Sequence, residues 1–108
     1  MPREDRRVIF DMSETYQALY KLSSQKENAV KLIAGVITMV EESEDDPNKI
    51  NFFLKNPQTG DKRVVIYTRD FLAAALMMYC RGAGIPLPRK AAKSVILEKD
   101  TIILRAVV

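Results

Sequence analysis

The pattern of polar and apolar positions changes abruptly at residues 71–80, which are ten apolar residues in a row. A typical helix start at residues 68–70 precedes this run, and Gly82 and Gly84 follow it. The pattern therefore predicts a helix over about residues 69–81. A surface helix shows only an apolar stripe, whereas a helix that is apolar all round needs cover on nearly every side. We expect it to be packed between a sheet and either another helix or a second subunit.

An amphipathic helix is predicted earlier in the chain, over roughly residues 13–26, because apolar residues there recur at helical spacing. Asp11 and Glu14 stand three residues apart, as the two members of a capping box do. Ser13 is the alternative N-cap residue. Polar residues fill the other face, so this helix is expected at the surface.

Three segments between the helices have the composition of strands. Residues 29–40 are rich in β-branched side chains, and Gly35 interrupts any helix there. Their apolar residues fall on both faces, which predicts a central strand covered on both sides; a helix continuing from the first one is the alternative. Residues 50–54 and 63–67 flank a loop that carries proline and glycine, and this arrangement predicts an antiparallel hairpin.

The C-terminal region has two interpretations. Residues 95–97 and 101–104 predict a second hairpin, preceded by one short turn at 89–92. Alternatively, residues 88–98 form a helix with Pro88 at its first position. With the hairpin, the fold class is α+β, ordered α-β-β-β-α-β-β: a mainly antiparallel sheet with the central apolar helix packed on one face.

Length and composition indicate one domain over residues 1–108, with a flexible N-terminus at 1–6 and a short additional strand at 7–10. No apolar run approaches the roughly 20 residues that a membrane-spanning helix needs, and no signal-peptide pattern opens the chain. The single cysteine, Cys80, cannot form an internal disulfide. These features predict a cytoplasmic protein that does not act at a membrane.

Charge is distributed unevenly although the net charge is only +3. Residues 41–46 hold five of the fourteen acidic residues, whereas no acid lies between Asp70 and Glu98. The acid-free region carries a basic cluster that could hold phosphate, a nucleic-acid backbone or an acidic partner. Solvated loop charges are the simpler interpretation of this cluster. Its members are Arg81, Arg89, Lys90 and Lys93.

The sequence predicts no catalytic residue, metal site or cofactor. It contains no histidine, the commonest general base and metal ligand. Cys80 falls in the last turn of its predicted helix, where the helix dipole raises a thiol pKa, so we interpret it as a core residue. The glycines at 82 and 84 lack the third glycine of a dinucleotide-binding loop, since Leu87 holds that position. An enzyme would need carboxylate, lysine or tyrosine groups, such as Asp70 with a second acid.

Met77 and Met78 are the predicted interaction surface, because methionine suits adaptable contacts and the apolar helix is difficult to cover completely. The leading hypothesis is a non-enzymatic protein-interaction module that forms a homo-oligomer or docks onto another protein. The alternative is nucleic-acid or anion binding through the basic cluster. A helix over 88–98 would favour this alternative, because it would complete a helix-turn-helix.

Overall fold

Residues 3–108 are described by the computed structural model and form six strands and two helices. The α+β class and the predicted element order are confirmed, with the additional N-terminal strand present as β1. In chain order the elements are β1 (Asp5–Asp11), α1 (Met12–Gln25), β2 (Val36–Glu42), β3 (Lys49–Lys55), β4 (Lys62–Thr68), α2 (Arg69–Ala83), β5 (Ala92–Leu97) and β6 (Thr101–Val107).

The strands are divided between two antiparallel sheets of three strands each. One sheet has the order β1-β6-β5, and the other is the meander β2-β3-β4. Both helices contact both sheets: α1 contacts β1, β2 and β6, and α2 contacts β4, β5 and β6. The molecule is elongated, with principal extents of 54 × 30 × 26 Å.

The N-terminus of α1 is fixed by the predicted capping box. The backbone N–H of Glu14 donates to the Asp11 carboxylate over 2.7 Å, and the Asp11 N–H donates to the Glu14 carboxylate over 3.0 Å. Asp11 is therefore the N-cap, and Ser13 lies inside the helix. Asp11 is also the last residue of β1, so strand and helix follow each other without a loop.

Helix α2 occupies the predicted apolar segment and is covered on most of its surface. None of residues 71–80 is exposed: Leu72, Ala75, Leu76 and Cys80 are buried, and the other six are partly buried. Its N-cap is Thr68, whose hydroxyl accepts from the Phe71 N–H. These contacts account for a nearly uncharged helix in a small protein, because α1 and both sheets share its surface.

A strand forms within the predicted segment 29–40, but the prediction is wrong about where the strand begins and about its central position in the sheet. The strand begins only at Val36, and β2 is an edge strand that pairs with β3 alone. Ile37 faces the core, whereas Val36 and Met39 are exposed. Residues 29–35 have no regular structure and are anchored by side chains, since the Tyr67 and Tyr16 hydroxyls donate to the carbonyls of Val30 and Ile33. The β-branched residues therefore indicated a strand correctly, but they did not indicate that both of its faces are buried.

Both predicted hairpins are present, as β3-β4 and β5-β6. The alternative helix over residues 88–98 is not formed; a turn at Arg89–Lys90 leads into β5. Within the segment 1–6, which was expected to be flexible, Asp5 and Arg6 belong to β1 and pair with β6. The Arg105 guanidinium donates to the Asp5 carboxylate over 2.8 Å and lowers the Asp5 pKa. Residues 1 and 2 of that segment lie outside the described residues.

Candidate functional site

The C-terminus of α2 and the segment that follows it form one wall of a groove. Gly84 ends the helix in the left-handed conformation (φ 73°), and the Ile85 N–H donates to the Cys80 carbonyl over 2.8 Å. Pro86 and Pro88 then keep the chain extended, since proline lacks an N–H and has a fixed φ. The Ala91 N–H donates to the Pro88 carbonyl over 3.3 Å and turns the chain into β5.

This open groove has a volume of about 800 Å³ and combines apolar and cationic side chains. We call it the basic groove. Four of its lining residues were predicted as site residues from the sequence, and none of the acidic residues among residues 3–108 lines it. The residues that line it are Met77, Arg81, Gly84, Ile85, Pro86, Leu87, Pro88, Arg89 and Lys93.

A further cation, Arg6, reaches the basic groove from β1. Its guanidinium donates to the Pro86 carbonyl over 3.1 Å. Arg6 and Lys93 both pair with Ala106 of β6, and cross-strand partners share a face of a sheet, so the two cations flank this small residue. The sequence analysis missed Arg6, because only the pairing of β1 with β6 brings residue 6 to this place.

Two of the predicted site residues lie elsewhere. Lys90 is exposed in the turn before β5 and does not line the basic groove. Met78 lines a different cavity of about 310 Å³ between α1 and the end of α2. One residue step on a helix turns the side chain by about 100°, which separates Met77 from Met78. The predicted methionine pair is therefore divided between two surfaces.

The opposite end of α2 is acidic. Residues 41–46, which we call the acidic loop, comprise the end of β2 and the start of its connection to β3, and Arg69 holds this segment against the start of α2. The Arg69 guanidinium donates to the Pro47 carbonyl over 2.8 Å and to the Val95 carbonyl over 2.7 Å, and it forms an ion pair with Glu42. Arg69 thereby joins both sheets and α2.

Four acids of the acidic loop face solvent, and one of them is Glu42. Glu41, Glu44 and Asp45 are exposed, and across residues 3–108 the only ion pair of the loop is that of Glu42 with Arg69. Asp46 has a structural role, since its carboxylate accepts from the Asn48 N–H over 2.9 Å. Exposed negative charge thus lies at the N-terminal end of α2 and positive charge at its C-terminal end, the arrangement that the helix dipole favours.

The sequence analysis also missed an apolar patch on the outer face of the β2-β3-β4 sheet. Met39, Phe53 and Val64 form one cross-strand row on this face. Met39, Val64 and the nearby Ile66 have about half of their surface exposed. Side chains alternate between the two faces along each strand, so the sequence does place these residues on one face. That face can be identified as the outer one only when the sheet is known to be covered on its other face.

In the part of the chain that the structure describes, the thiol and carboxylate groups do not form a second candidate site. Burial raises the pKa of the Cys80 thiol, which opposes formation of the reactive thiolate. Asp70 is exposed at the start of α2. Within residues 3–108, no three acidic or cysteine side chains converge as metal ligands would, and no helix has the length and hydrophobicity to cross a membrane.

Comparison with known proteins gives no independent guide to function. No family model matches the chain, and no curated protein sequence or solved structure is significantly similar to it. Function is therefore inferred from the geometry and charge of the basic groove and of the two other surfaces.

Proposed function

We propose that the protein is a non-enzymatic protein-interaction module whose basic groove binds an acidic segment of a partner protein. One observation supports this proposal most: Met77, the predicted contact residue, lines the same groove as Arg81, Arg89 and Lys93. An apolar contact residue and three cations are thus within reach of a single ligand.

The composition of the groove indicates the chemistry of its partner. Met77, Ile85 and Leu87 are partly buried and offer apolar surface, and methionine adapts to differently shaped side chains. The cations at the groove favour carboxylates over cationic side chains, because like charges would repel. A partner segment that carries both acidic and apolar side chains satisfies both parts of the groove.

Nucleic-acid binding is the second candidate, because the same cations suit a phosphate backbone. Two observations favour a protein partner. Among the described residues, no aromatic side chain lines the groove, so the groove offers no ring on which a base could stack. The segment that would supply the second helix of a helix-turn-helix forms a turn and a strand.

A cytoplasmic location is part of the proposal. Cys80 is the only cysteine, and it is a buried free thiol that makes no disulfide. Proteins of oxidising compartments more often stabilise small domains with disulfides, so the cysteine content favours a reducing compartment.

The proposal is tested with a fluorescent synthetic peptide in which glutamates alternate with leucines. We expect binding that is measurable by fluorescence anisotropy and that weakens as salt increases, because exposed charge pairs are screened. A peptide with glutamine in place of each glutamate should bind at least about tenfold more weakly, which corresponds to about 1.4 kcal/mol.

Protein variants locate the binding surface in the same assay. The double variant Arg89→Glu/Lys93→Glu should lose peptide binding, whereas Lys62→Glu/Lys99→Glu, with the same change in net charge at exposed positions outside the groove, should keep it. Equal binding by both variants, or preferential binding of single-stranded DNA over the acidic peptide, would contradict the proposal.

A further inference from the structure

We infer that the acidic segment which fills the basic groove is the acidic loop of a second copy of this chain, so that the protein associates head to tail. This inference rests on the proposed function of the groove and names its occupant. The main support for this inference is charge complementarity between the groove and the loop. The groove presents Arg81, Arg89 and Lys93 with Arg6 beside them, and the acidic loop presents Glu41, Glu44 and Asp45 to solvent.

The acidic loop is held away from the groove of its own chain. Arg69 fixes the loop at the first residue of α2, whereas the helix residues that line the groove are Met77 and Arg81, in the second half of α2. At 1.5 Å per residue, these two positions lie about 12 and 18 Å from Arg69 along the helix. We therefore expect the contact between loop and groove to form between two molecules.

The acidic loop is preorganised for this contact. The Ser43 N–H donates to the Lys49 carbonyl over 2.9 Å, and the Lys49 N–H donates to the Asp46 carbonyl over 3.0 Å. The loop therefore has a defined shape before it meets the groove, which reduces the entropy lost on association. Pro47 follows the loop and is exposed, so an apolar side chain accompanies the carboxylates.

The resulting interface is heterologous, since the loop of one copy contacts the groove of the next. An open assembly of this kind keeps one free loop at one end and one free groove at the other, and growth ends only if the geometry closes a ring. This differs from a two-fold dimer on the outer face of the β2-β3-β4 sheet, where the same patch of both copies would meet.

Sedimentation velocity of two charge-reversed variants tests the inference. One variant reverses the groove (Arg89→Glu/Lys93→Glu) and the other reverses the loop (Glu44→Lys/Asp45→Lys). Arg81 is left unchanged because an acid in the last turn of α2 would oppose the helix dipole, and Asp46 is left unchanged because its carboxylate caps the loop. Circular dichroism confirms that each variant is folded.

We expect the wild-type protein to associate at low salt (about 20 mM) and to dissociate at high salt (about 500 mM). Each reversed variant should associate at least about tenfold more weakly than the wild type. An equimolar mixture of the two variants should associate again, because each acidic surface then meets a basic one. The variant Lys62→Glu/Lys99→Glu is the control with matched charge and should behave as the wild type does.

Three outcomes would overturn the inference: a wild-type monomer at low salt, undiminished association of the groove-reversed variant, or a mixture that stays monomeric. If the glutamate and leucine peptide still binds the groove in any of these cases, the proposed function stands and only the identity of the occupant is wrong. If the peptide fails to bind as well, both proposals are wrong.

Discussion

Gly35 is the residue at which the backbone leaves least room for substitution. Its φ of +154° is rarely adopted by residues with a side chain, and a Cβ atom there would lie 2.9 Å from the Lys55 carbonyl oxygen. The sequence analysis interpreted this glycine only as a helix breaker. Its larger role is to let the start of β2 approach β3 closely, which becomes visible only once the two strands are paired.

Gly35→Ala should lower the free energy of unfolding by about 1–3 kcal/mol, because it combines a strained φ with a clash against backbone. Urea denaturation measures this change. Gly84→Ala is the matched control: its φ of 73° also suits glycine, but nothing lies within 4 Å of the added Cβ. Its cost should be about 1 kcal/mol. A smaller loss for Gly35→Ala than for Gly84→Ala would contradict the assigned role.

Arg6 and Arg69 show why single residues of the site escaped the sequence analysis. Both make contacts with residues distant in the chain: Arg6 with Pro86, and Arg69 with Pro47 and Val95. Charge alone does not distinguish them from the other surface arginines. Arg81, Arg89 and Lys93 could be grouped from the sequence because the helix end and the short loop keep them close along the chain.

At the scale of elements, the hairpins and helices could be predicted because each has a local signal. The capping box marks the start of α1, Gly84 marks the end of α2, and turn residues separate the strands of both hairpins. The position of β2 could not be predicted in this way. Whether a β-rich segment is central or at an edge depends on its neighbours in the sheet, and the β2-β3-β4 meander leaves β2 with one partner.

The junction between the two sheets depends on Arg69, and Arg69→Ala tests this. The change removes the contacts to Pro47, Val95 and Glu42, and we expect the free energy of unfolding to fall by about 1–3 kcal/mol. Arg69→Lys should restore only part of the loss, because an ammonium group cannot reproduce the fork of guanidinium donors.

Thermal unfolding followed by circular dichroism ranks the three proteins. The expected order of stability is wild type, then Arg69→Lys, then Arg69→Ala. If Arg69→Lys is as stable as the wild type, the charge of Arg69 matters and its bonds to the two carbonyl groups do not, contrary to the structure.

On the scale of the whole molecule, opposite charges lie toward opposite ends of α2. The acidic loop lies at one end of α2 and the basic groove at the other, and the apolar outer face of the β2-β3-β4 sheet is a third surface. The uneven charge along the sequence predicted the two charged regions. Their positions relative to each other follow only from α2, which separates them.

Three methionines report separately on the candidate surfaces. Met77 lines the basic groove, Met78 lines the cavity between α1 and α2, and Met39 lies on the outer face of the β2-β3-β4 sheet. Labelling the methionine methyl groups with ¹³C therefore gives one NMR signal for each surface. Substitution of each methionine by leucine in turn assigns these signals and changes little in volume or hydrophobicity.

The most direct test of the central claim is the titration of this labelled protein with the glutamate and leucine peptide. If the basic groove binds acidic segments, the Met77 methyl signal shifts and saturates, while the Met39 and Met78 signals stay in place. A shift of the Met39 or Met78 signal while that of Met77 stays unchanged would contradict the account.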